Sequence, residues 1–128
     1  MSALFSFAID RRLGLIEIAM SGLFTPADVA AFLEARGKAH AELGWPRNGH
    51  VTLNDVSGMK IQPQETVAAF QAVLADVEFR SRRLAFVVSQ TLARRQLTRA
   101  VDSRHVRCFT DADEARDWLF EAEERRVA

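Results

Sequence analysis

The chain has 128 residues, 48% of them hydrophobic and 27% charged, an ordinary globular balance and enough length for one domain to bury a core. Its 17 Lys and Arg residues match 17 Asp and Glu, so no global charge calls for a polyanionic partner such as nucleic acid. The one cysteine, Cys108, rules out an intramolecular disulfide framework and any multi-cysteine zinc site.

The opening MSALFSFAID alternates and then turns polar, and its apolar run is too short for a signal peptide. No later stretch approaches the roughly 20 apolar residues a membrane span needs. The expectation is a cytoplasmic protein forming a single domain over residues 1–128.

Residues 4–9 (LFSFAI) and 14–20 (GLIEIAM) alternate as half-buried strands do, and DRRL between them supplies a hairpin turn. TPADVAAFLEARGKAHAEL then predicts a helix. Thr25 caps it, Pro26 fits its first position, and Asp28 suits the positive helix end. Val29, Phe32, Leu33 and Leu43 share its inner face, and GWPRNG ends it.

HVTLNDV predicts a third strand ending near Asp55, followed by a loop, SGMKIQ. Pro63 opens a second helix with Val67, Phe70, Leu74 and Val77 at helical spacing. RRLAFVVS holds a fourth strand, residues 91–102 (TLARRQLTRAVD) a third helix, and VRCF a fifth strand. Asp111 caps a last helix that buries Ala115, Trp118, Leu119 and Ala122. The order β-β-α-β-α-β-α-β-α predicts an α/β fold: a five-stranded, mixed, mostly parallel sheet with four helices.

Three stretches, VTLNDVSGMKI, LAFVVSQTLARRQL and VRCFTDADEARDWL, carry a resemblance when taken in this order. The chain resembles the STAS superfamily in its SpoIIAA-like, anti-sigma-factor-antagonist branch, and is also similar to the CRAL-TRIO lipid carriers. The resemblance implies a SpoIIAA-like fold and a non-enzymatic module acting through protein contacts. It also implies a phosphorylatable Ser, preceded by Asp, where the helix after the third strand begins. Aligned on Asp55 and Ser57, those two positions hold Pro63 and Gln64 here, and neither accepts phosphate.

The residues themselves offer little catalytic chemistry. His105 and Cys108 lie three apart in one strand and face opposite ways, and Cys108 reads as inert core. His40 reads as helix packing and His50 as surface; no pair has metal-ligand spacing. No glycine-rich loop follows a strand to hold phosphate. The arginines of residues 80–107 and the acidic terminal helix read as solvated faces.

The expected partner surface is Asp55, Ser57, Met59, Lys60, Gln62 and Gln64. Asn54, Ser89 and Gln90 form an expected ligand rim at the carboxyl ends of the strands. No catalytic residue, metal or cofactor is expected. The partner is expected to be a protein, with a homodimer through the edge hairpin also expected. The rival reading is a carrier of a lipid-like ligand, with a cavity lined by Phe32, Phe70 and Phe86.

Overall fold

Strand β1 (Leu4–Asp10) turns back on β2 (Leu15–Gly22) through four residues. The Asp10 carboxylate accepts from the Leu13 N–H at 3.0 Å, and Gly14 takes a left-handed φ of 67°. A Cβ at Gly14 would lie 2.6 Å from the Trp45 ring, so only glycine fits beneath that indole. The computed structural model describes residues 2–46, 48–60, 62–75, 80–89 and 105–121.

The remaining elements are α1 (Pro26–Leu43), β3 (Val51–Met59), α2 (Gln64–Ala75), β4 (Arg83–Val87), β5 (Val106–Phe109) and α3 (Ala112–Leu119). The strands lie in the order β1-β2-β3-β4-β5. β1 joins β2 antiparallel, and every later pairing is parallel, as the alternation of strand and helix predicts. Three helices rather than four occur among the described residues; the helix expected at 91–102 lies outside them.

Helix α1 begins where its chemistry dictates. The Thr25 hydroxyl accepts from the Asp28 N–H, and the Asp28 carboxylate accepts from the Thr25 N–H at 2.8 Å, a reciprocal cap with Pro26 just inside it. Those hydrogen bonds hold the Asp28 carboxyl below its usual pKa. Gly44 ends the helix in the left-handed region, its N–H bonded to the His40 carbonyl.

The pleat sends alternate side chains to opposite faces. On one face Ile16, Ile18, Met20, Val56 and Phe86 pack under α1 residues Val29, Phe32 and Leu43, with Phe70 of α2 against them. On the other, Leu15, Val51, Leu53, Ala85 and Val87 pack under Ala115, Trp118 and Leu119 of α3. Arg83, expected on a solvated face, is instead buried. Its guanidinium lies 5.0 Å from the Trp118 ring centre and donates to the Trp118 carbonyl. Arg107 covers the same ring at 5.2 Å. The aliphatic stems and the planar cations make Arg a good cover for an indole.

Trp118→Ala is expected to lower stability by about 3–5 kcal/mol in urea unfolding, because the α3 face loses its largest side chain and two arginines lose their stack. Glu121→Ala, on the exposed residue just past that helix, is expected to stay within about 0.5 kcal/mol of the parent.

Candidate functional site

Strand β3 does not stop near Asp55. It runs on to Met59, with Gly58 opposite Ser21 and Met59 opposite Gly22. The register slips between Ala19 and Ser21, so β3 carries one extra residue there, a β-bulge. Asp55 Oδ1 accepts from both the Ser57 N–H at 3.0 Å and the Ser57 hydroxyl at 2.6 Å. The carboxylate thus serves an amide at a point where the ladder is interrupted. A Cβ on Gly58 would meet the Ser21 Cβ at 2.9 Å, so glycine lets the two backbones close again beyond the bulge. The early end expected for this strand rested on reading Ser-Gly as a turn, whereas here it re-enters the sheet.

Beside this bulge lies a shallow, open groove of about 320 Å3. Its walls come from Leu4 and Ser6 on β1, Ala19 and Ser21 on β2, and Asp55, Ser57 and Gly58 on β3. Helix α3 packs on β3, β4 and β5 and reaches β2 through the Arg116–Glu17 ion pair, so among the described residues this corner of the sheet stays open. That ion pair raises the Arg116 pKa. Leu4 is 66% exposed, an unusual position for a strand leucine.

The chain after the bulge is pinned by Gln62. This side chain is buried and accepts from the Phe24 N–H at 2.9 Å. Its amide nitrogen donates to the Gly22 carbonyl at 3.1 Å and to the Lys60 carbonyl. The Thr66 hydroxyl donates to the Phe24 carbonyl at 3.0 Å, and Thr66 is 1% exposed. Gln62 and Thr66 therefore hold the connection leading into α1 rather than face outward. Pro63 and Gln64 occupy the exposed start of α2.

Of the expected surface, Ser57, Lys60 and Gln64 are exposed and Asp55 is half-buried at the groove. Met59 packs at the edge of the core. Asn54 does not sit at a strand end: β3 continues past it, and its side-chain oxygen is buried with no hydrogen-bond partner among the described residues. Ser89 is half-buried just past β4, and Gln90 lies outside the described residues.

His50 is also not at the surface; it is 1% exposed. Its ring meets His40 edge-on with centres 4.8 Å apart, and its Nε2 lies 3.2 Å from the Ser81 hydroxyl. Ser81 in turn shares a 2.6 Å hydrogen bond with Thr52. Burial, the neighbouring His50 and Arg36 push the His40 pKa down to about 4, and burial lowers that of His50. Arg36 is itself buried on the inner face of α1. The sequence offered one signal for this cluster: Arg36 falls on the same helical stripe as Phe32 and Leu43.

The residues expected to wall a lipid cavity touch one another instead. Phe32 and Phe70 have ring centres 6.2 Å apart, Phe5 and Phe7 close on Phe32 at 5.6 and 5.5 Å, and Phe86 is buried in the same cluster. The carrier reading has no support in this packing. Among the described residues no helix is long and apolar enough to cross a membrane, and no cluster of three or more His, Cys, Asp or Glu is placed to hold a metal.

The SpoIIAA-like family model matches residues 15–120. No curated protein matches the chain. Among solved structures, the chain is similar to an uncharacterized protein of the DUF3478 family with a SpoIIAA-like fold from Shewanella loihica PV-4. That likeness has a TM-score of 0.69 at 18% identity and covers 93% of this chain and 96% of the other.

Two glutamines two residues apart give a direct check on the site. Gln62→Ala is expected to cost about 1–3 kcal/mol in chemical unfolding, since it strands the buried Phe24 N–H, while the Gly22 carbonyl keeps the Lys60 N–H. Gln64→Ala is expected to change stability by less than about 0.5 kcal/mol.

Proposed function

The chain belongs to the SpoIIAA-like family, and from that premise we propose that it is a non-enzymatic, cytoplasmic interaction module whose partner is a protein docking over the groove at the β3 bulge. The observation that carries this reading is the groove itself. It has apolar walls from Leu4 and Ala19, a polar rim from Ser21, Asp55 and Ser57, and Lys60 and Gln64 exposed beyond it. It also runs beside β1, the outer strand of the sheet. An extended segment laid there gains backbone hydrogen bonds from the strand edge and side-chain contacts from the groove.

The hydroxyls and imidazoles support a module without catalysis. The Ser57 hydroxyl is committed to Asp55, and His50, the imidazole beside Ser81, is closed off from solvent. Regulation by phosphate at the start of α2 is not part of the reading. Pro63 and Gln64 stand there, and Thr66 is buried with its hydroxyl engaged. Residues 4–9 of β1 carry no charge to discourage strand pairing, so two copies joining antiparallel along that edge belong to the same proposal.

A photo-crosslinking residue placed at Ser57 is expected to capture a protein that the unlabelled chain competes away. The same probe at the exposed Arg107, on the opposite edge strand, is expected not to. Capture from Arg107 alone would place the contact surface elsewhere. Incubation with lysate kinases and ATP is expected to leave Ser57 and Thr66 unmodified in a phosphopeptide map.

A further inference from the structure

At the end of the sheet opposite the groove, several connections meet around two histidines. His40 lies one turn before the end of α1, and His50 immediately precedes β3. Between them the chain folds through Gly44, Trp45 and Pro46. The Asn48 N–H donates to the Arg80 carbonyl at 2.8 Å, and the Arg82 N–H donates to the His50 carbonyl at 2.7 Å. The Trp45 indole N–H donates to the Arg11 carbonyl at 2.8 Å, and the Arg11 side chain donates to the Glu42 carbonyl at 3.0 Å. The last turn of α1, the first hairpin, the start of β3 and the lead into β4 are thereby tied together at one corner.

The imidazoles fill the centre of that corner. The two rings meet edge to face at 4.8 Å, and His50 has Nδ1 3.4 Å from the Pro46 carbonyl and Nε2 3.2 Å from the Ser81 hydroxyl, which in turn pairs with Thr52. A proton added to either ring puts a cation in a poorly solvated place beside the other. Arg36, buried one turn before His40 on α1, adds to the cost of a charge on His40, and Arg82, next to Ser81 in the chain, is half-buried. Arg80 is exposed, as is Glu42 on the last turn of α1.

We propose that the His40–His50 contact is an acid-sensitive latch. It holds the C-terminal turns of α1 and residues 44–46 and 48–50 on the sheet when both rings are neutral, and releases them when one ring is protonated. The release is local, because the opposite face is closed independently by Trp118, Leu119 and Ala115 against Val51, Leu53, Ala85 and Val87. The sign follows from linkage. With the His40 pKa at about 4 when closed and near its ordinary 6.5 when open, the closed form has its full advantage above about pH 6.5. That advantage declines as the pH falls toward 4. One proton taken up on opening favours the open form by roughly tenfold per pH unit in that window, or roughly thirtyfold at pH 5.

Hydrogen exchange of the full chain at pH 7 and pH 5, corrected for intrinsic rates, tests the proposal. Peptides spanning 37–52 are expected to lose roughly twentyfold in protection between pH 7 and pH 5, while those spanning 112–119 keep theirs. Equal loss in both regions would make the event global unfolding, and no loss in either would remove the latch; both outcomes overturn it. His40→Phe keeps an aromatic edge against His50 and removes one titrating group, so the loss over 37–52 is expected to shrink. Should that variant not fold, NMR titration of the His40 ring in the parent protein decides the matter. An ordinary midpoint near 6.5 would overturn the latch.

Discussion

The sequential order of the parallel strands is the constraint on which the rest of this structure depends. A crossover between neighbouring parallel strands is right-handed, so successive crossovers in one direction across a sheet place their helices on the same face. Helices α1 and α2 obey this and bury Ile16, Ile18, Val56 and Phe86 together. The opposite face is left to α3, which follows the last strand and is free of the crossover rule. Eight residues long, it covers β3, β4 and β5 and leaves the outer corner of β1, β2 and β3 open. Among the described residues, one short helix packs on that face.

What then gives that corner its shape is a single extra residue. Without the bulge, β3 would continue in register with β2. With it, the Asp55 carboxylate is drawn onto Ser57, and Gly58 closes tightly on Ser21. The same irregularity delivers the chain to Gln62, whose buried amide ties residues 22 and 24 to the segment ahead of α2. The groove wall and the entry to α1 are therefore parts of one connected piece of backbone.

The two ends of the sheet are built from different chemistry. The carboxyl ends carry short polar side chains in contact with water around an open groove. The amino ends carry buried imidazoles, hydroxyls and an arginine, where desolvation keeps His40 and His50 uncharged. At the first end Ser57 and Lys60 are exposed, with the Ser57 hydroxyl bonded to Asp55. At the second, His50 and Arg36 are buried.

By itself the sequence determined the succession of strands, the parallel and antiparallel directions, the cap at Thr25 and the burial of Trp118 and Leu119. Each depends on local periodicity or capping chemistry that residue spacing records. It also carried the family likeness and placed Pro63 and Gln64 at the start of α2. Only the tertiary structure decided that β3 runs past Asp55, that Gln62 and Thr66 turn inward, that Arg83 lies beneath Trp118, and that His50 is buried against His40. Those outcomes join residues 35 positions apart in the case of Arg83 and Trp118, and 38 in the case of Phe24 and Gln62. A polar side chain looks the same in sequence whether water or a distant backbone carbonyl satisfies it. The choice is made when the sheet forms and burial makes an unpaired group costly.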